Sequence, residues 1–162
     1  MFFWFIATAV ITVGLVFRDP RFDYRLLIVG SVLPIGDGLF GGARVMHSLR
    51  FCVVLLALLM LATSGRKPIR KTLLGLPIGM ILHLVFDGAW NNTEVFWWPF
   101  FGWSFDDAPL PVLDRGAWSV LLEAIGVALC VWLWRHNGLG KRTRRVQFLR
   151  DGHLDAVPER FG

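Results

Sequence analysis

His83 and Asp87 stand four residues apart in an apolar run, Leu82-His83-Leu84-Val85-Phe86-Asp87. On a helix that spacing stacks the imidazole and the carboxylate on one face, about 6 Å apart at Cβ. Such a pair either shares a metal ion or hydrogen-bonds to itself. Asp37 and His47 lie at the ends of other apolar runs, and Glu123 lies inside the last one. Two imidazoles and two carboxylates suit Zn²⁺, with Mn²⁺ or Fe²⁺ as alternatives, because the two negative charges offset a divalent cation. The other arrangement open to the same four residues is an Asp–His hydrogen-bond network with Arg44 as counter-ion. Glu123 has three chemical roles open to it, as a further ligand, a general base, or a partner that orients a ligating His, and one structural role, as a neutral acid bonded within the helices.

The elements that must position these groups are hydrophobic helices. The chain has 162 residues, 55% of them hydrophobic and 14% aromatic, with 8 Trp and 14 Phe. A mean hydropathy of +0.56 leaves too little polar surface to cover a soluble domain of this length, which lipid-facing helices explain. Five apolar stretches stand out: Phe2–Phe17, Leu26–Phe40, Leu49–Thr63, Leu73–Trp90 and Ala117–Trp134. Several are short against the roughly 20 residues that cross a bilayer, so tilting or local thinning is expected. Pro34, Gly36 and Gly38 interrupt the second stretch. They mark either a helix broken at membrane depth or a short helix ending before a loop, and both put Asp37 near a membrane face. Phe2 onward is apolar without a basic leader or small-residue cleavage site, so the first stretch reads as a retained helix. Cys52 and Cys130 fall at different depths of this arrangement, which disfavours a disulfide between them.

The net charge of +5 does not point to nucleic acid, since no reading motif accompanies it. The basic residues lie between the apolar runs. One cluster is Arg18, Arg21 and Arg25; a second is Arg66, Lys67, Arg70 and Lys71. The third is Arg135, Lys141, Arg142, Arg144, Arg145, Arg150 and Arg160. Only Arg44, Arg50 and Arg115 fall to the other face, together with Glu94, Asp106, Asp107 and Asp114. By the positive-inside rule, five crossings place the N-terminus outside and the C-terminus in the cytoplasm. Asp37, His47, His83 and Asp87 then reach the same outer membrane face. The run Val95–Phe105, rich in Trp and Phe, is expected along that outer interface, as an anchor or as the entrance for a lipid-like substrate. The basic tail is expected to meet anionic lipid or to act as a topology signal alone.

Three segments together resemble the bacterial and archaeal inner-membrane metal-dependent hydrolases described as LexA-regulated. They are Leu33-Pro34-Ile35-Gly36-Asp37, Arg44-Val45-Met46-His47-Ser48, and Gly79-Met80-Ile81-Leu82-His83-Leu84-Val85-Phe86-Asp87; Trp98-Pro99-Phe100 looks like the aromatic segment that follows in that family. The likeness covers residues 26 to 105, in order. It implies a metal site at Asp37, His47, His83 and Asp87, with Ser48 as a hydroxyl neighbour. The chain departs from the pattern at Ile35, where the family carries a carboxylate, and at Gly42 and Ala43, where it carries His and Arg.

The sequence thus predicts an all-α polytopic membrane bundle of about five transmembrane helices over residues 1–135, with one broken helix and an interfacial aromatic segment. Residues 136–162 are expected as a polar, basic cytoplasmic tail. The expected activity is metal-dependent hydrolysis at the outer leaflet of the inner membrane, on a phosphoester or ester of a lipid. One divalent ion, Zn²⁺ foremost, is held by Asp37, His47, His83 and Asp87. Glu123 or Asp114 is expected to accept a proton, and Arg44 and Arg115 to attract an anionic headgroup. The alternative is a non-catalytic membrane component, a transporter subunit or scaffold, in which the polar cluster lines an ion path or fixes helix packing.

Overall fold

The computed structural model describes residues 1–19, 22–100 and 115–154. Among them every regular element is helical and no strand occurs. The first apolar stretch forms α1 (Phe2–Phe17). Asp23 then caps α2 (Tyr24–Val32), its carboxylate accepting the Arg25 N–H at 3.1 Å. Pro34 ends the α-helical winding, but the chain continues as a 3₁₀ helix over Leu33–Phe40, with the proline in its first turn. Gly41, at φ 94°, closes it in the left-handed conformation. The second stretch is therefore a short α-helix extended by a tighter one, and Asp37 rides on the tighter part.

A second 3₁₀ turn, Val45–His47, leads into α3 (Leu49–Ala62). Ser48 is its N-cap: its Oγ accepts the Phe51 N–H at 3.1 Å and donates to the Val45 carbonyl at 2.9 Å. Those two bonds hold His47 where the turn meets the helix. The fourth stretch is α4 (Lys67–Leu73) followed by α5 (Gly75–Asp87), which ends at Gly88 in the left-handed conformation rather than running to Trp90. Short turns at Ala89–Asn91 and α6 (Thr93–Phe96) follow, then α7 (Ala117–His136). Part of the polar tail is itself helical, as α8 (Arg142–Asp151). Of the expected interfacial run, residues 95–100 are described; there the guanidinium of Arg50 lies 5.3 Å from the centroid of the Phe100 ring. Residues 101–105, and Asp114, lie outside the described residues.

The packing that matters most is α2 against α5. A Cβ on Gly79 would collide with the Leu27 carbonyl oxygen and stand only 2.7 Å from the Ser31 nitrogen. On the facing helix, a Cβ on Gly30 would collide with the Leu76 carbonyl. Glycines facing each other let two backbones touch, the close approach that small residues permit between helices in membranes. Among the described residues two helices are long and apolar enough to cross a membrane: the stretch Lys67–Asp87 and Ala117–His136. Phe2–Phe17 and Leu49–Ala62 are apolar but shorter.

Contacts between distant segments define the two ends of the bundle. At one end Glu123 meets the start of α1, and Arg115 meets the end of α5. At the other, Lys71 pairs with Asp19 at 2.5 Å and the Tyr24 N–H bonds to the Gly152 carbonyl at 2.9 Å. All four sequence-predicted metal residues lie toward the first end.

Candidate metal centre

His83 sits one turn beyond Gly79, on the face of α5 that α2 covers. The close helix contact brings the Ser31 carbonyl oxygen to 2.7 Å from its Nδ1. A carbonyl only accepts, so Nδ1 carries a proton, and in the neutral ring the lone pair lies on Nε2. The Phe5 ring packs on the same imidazole, centroids 3.9 Å apart. The ring is thus fixed on two sides.

His47 is held by the same logic from a different element. Its Nδ1 lies 3.0 Å from Asp37 Oδ2, which also accepts the backbone N–H groups of Arg44 at 2.9 Å and Met46 at 3.1 Å. Three donors converge on one carboxylate oxygen, which is the pattern of an ionised acid. Nδ1 of His47 therefore carries a proton, and a neutral ring leaves its lone pair on Nε2.

Both Nε2 atoms turn toward Asp87. They stand 3.7 Å (His47) and 4.0 Å (His83) from its Oδ2, too far for a hydrogen bond. The expected alternative of an Asp87–His83 hydrogen bond is therefore not formed. Asp87 is fully buried, and neither of its carboxylate oxygens has a hydrogen-bond partner among the described residues. Its counter-ion is Arg115, with Nη1 3.4 Å from Oδ1 and Nη2 donating to the Asp87 backbone carbonyl. Two lone pairs facing a buried carboxylate repel one another unless a cation lies among them.

The spacing suits such a cation. Two ligands each about 2.0–2.2 Å from zinc stand about 3.3–3.6 Å apart at the tetrahedral angle. One ligand atom from each of His47, His83 and Asp87 lies within 4.8 Å of the others, so small side-chain movements close the set. Three protein ligands of the His–His–carboxylate type leave a coordination position open. The Nδ1 partners, a carboxylate for one imidazole and a carbonyl for the other, are those that orient metal-binding histidines.

Two sequence expectations change place. Asp37 is outside the three-residue group and stands behind His47, because its Oδ2 is taken up by the imidazole and two backbone donors. Glu123 accepts the N–H groups of Phe3, at 3.1 Å, and Trp4, at 3.4 Å. It caps the first turn of α1, where the helix dipole favours a carboxylate, instead of facing the imidazoles. The two arginines expected to attract a headgroup both stand beside the group: Arg44 gives its backbone N–H to Asp37, and Arg115, the cation paired with Asp87, has a side chain 25% exposed. Ser31, which supplies only a backbone carbonyl, had no signal in sequence. The one available hint was Gly79, a turn before His83, as a mark of close helix contact.

Fold and site together define an all-helical protein with a buried His47–His83–Asp87 group able to hold a metal ion. Comparison with protein-family models, with curated proteins and with solved structures finds no match.

Proposed function

We propose that this chain is a membrane-embedded, metal-dependent hydrolase whose site opens at the outer edge of a bundle of about five crossings. The observation that carries the reading is the pair of imidazole Nε2 atoms turned on the Asp87 carboxylate, which accepts no hydrogen bond from the described residues. His47, His83 and Asp87 hold one divalent ion, zinc foremost, with manganese or iron as alternatives. Such an ion supplies Lewis acidity and lowers the pKa of water at the site. Asp37 and the Ser31 carbonyl keep both imidazoles in the binding tautomer. The Arg115 side chain is 25% exposed while Asp87 is 0% exposed, so its guanidinium leads from the surface to the buried carboxylate. It is the group to orient an anionic headgroup, which favours a phosphoester or other ester of a lipid as substrate. The segments that resemble inner-membrane metal-dependent hydrolases carry these same three ligands.

The second reading, a non-catalytic membrane component with a structural metal, draws on a different fact. His47 and His83 are each 1% exposed, more enclosed than an open catalytic centre requires. Metal analysis of purified protein beside His83→Ala and Asp87→Ala tests the site itself. Stoichiometric metal in wild type and its loss in both variants is expected; metal retained in both rejects the centre. Release of phosphate or fatty acid from lipid substrates, by wild type and not by the variants, then separates hydrolase from scaffold.

A further inference from the structure

We propose that α8, at the end of the bundle opposite the metal centre, is a preformed binding surface for anionic phospholipid. The inference is independent of hydrolysis and rests only on the bundle lying in a membrane.

Arg142, Val146 and Arg150 follow one another at four-residue spacing and share one face of α8, with Leu149 beside them. That face is open: Val146 is 56% and Leu149 69% exposed, and both arginines are exposed. The opposite face is pinned. Phe148 packs against the cluster of Phe22, Tyr24, Leu27 and Leu133. Arg25 Nη1 donates to the carbonyls of Leu149 at 2.8 Å and Arg150 at 3.0 Å. Gly152 fits against Asp23 so closely that a Cβ there would strike the carboxylate. The helix is therefore anchored, with its basic and apolar side turned outward.

Charge alone would suit any polyanion. Exposed Val146 and Leu149 between two arginines select a partner that offers anionic headgroups and apolar chains in adjacent layers, which is the boundary of a phospholipid leaflet. The positive-inside rule puts this end of the bundle on the cytoplasmic side, where such a leaflet lies.

The test uses the full chain in neutral detergent, titrated with phosphatidylglycerol or phosphatidylcholine, bound lipid being counted by native mass spectrometry. Wild type is expected to prefer phosphatidylglycerol, and the preference is expected to fall as salt rises. Arg142→Gln/Arg150→Gln is expected to weaken phosphatidylglycerol binding about 25-fold, at about fivefold per arginine. Val146→Ser/Leu149→Ser is expected to weaken both lipids. Metal content is expected to stay the same in both double variants, which keeps this test separate from the metal centre. A phosphatidylglycerol preference that survives the arginine changes, or is insensitive to salt, overturns the proposal. So does displacement of the lipid by equimolar glycerol phosphate, which would mark a phosphate site without a lipid requirement. Tighter binding of an acidic peptide than of phosphatidylglycerol would point to a protein partner instead.

Discussion

Asp37→Asn is the substitution that most sharply separates a residue behind the metal from one upon it. The asparagine side chain keeps the size of Asp37 and an oxygen able to accept from His47 Nδ1 and from the Arg44 and Met46 N–H groups, which stand 2.9 to 3.1 Å from Oδ2. What it removes is the charge. Hydrogen bonds to an ionised acceptor are roughly twice as strong as neutral ones, so His47 loses basicity and the loop from Asp37 to His47 loosens. Loss of an oriented partner of this kind lowers metal affinity about 10- to 100-fold, or about 1.4 to 2.7 kcal/mol. Removal of a ligand outright, as in His83→Ala, should leave no measurable site. Competition with a chromophoric zinc chelator, run on detergent-solubilised protein at constant pH, reads both. A Kd for Asp37→Asn between those of wild type and His83→Ala is expected. Binding abolished as completely as in His83→Ala would make Asp37 a direct ligand, and binding within twofold of wild type would show that the His47 contact does not matter.

Three other outcomes follow from the geometry. Gly79→Ala places a methyl group against the Leu27 carbonyl and the Ser31 nitrogen, forcing α2 and α5 apart by about 1 Å in an interior with little slack. The 2.7 Å bond from His83 to Ser31 should break with it, so thermal stability and zinc affinity should fall together; a drop in Tm with unchanged zinc affinity would uncouple helix contact from the centre. Glu123→Ala removes the cap on Phe3 and Trp4 and should cost about 0.5–2 kcal/mol of stability while zinc affinity holds, as chelator titration and thermal melts would show; lost zinc binding in a folded variant would return Glu123 to the site. At the other end, burial alone would raise the Asp23 carboxyl, but the Arg25 side chain, backbone N–H and charge hold it below the usual carboxylate range. A depressed folded pKa contributes stability above the unfolded value and loses it as pH falls, so α8 should begin to release below about pH 4. Hydrogen exchange of α8 amides should accelerate there, and in Asp23→Asn at neutral pH; protection that is flat from pH 7 to 3 would mean the Asp23–Arg25 contact does not hold the helix.

Much of this molecule was legible one residue at a time. Apolar runs with basic residues between them announce hydrophobic helices, because no other element satisfies its own backbone away from water, and all five expected stretches begin within two residues of the start of an observed helix. His83 and Asp87 could be placed on one face by spacing alone, and His47 was recognisable as an imidazole at a helix boundary. Tertiary structure decided the rest. Asp37 and Asp87 are the same residue type near the same end of the bundle, yet one accepts three hydrogen bonds and the other none among the described residues. Glu123 is spent on the first turn of α1, and Arg115, from a distant segment, meets Asp87. Spacing along one helix reports which side chains share a face. Which donor reaches which oxygen depends on how closely two backbones approach, and here that is set by glycines that do no chemistry.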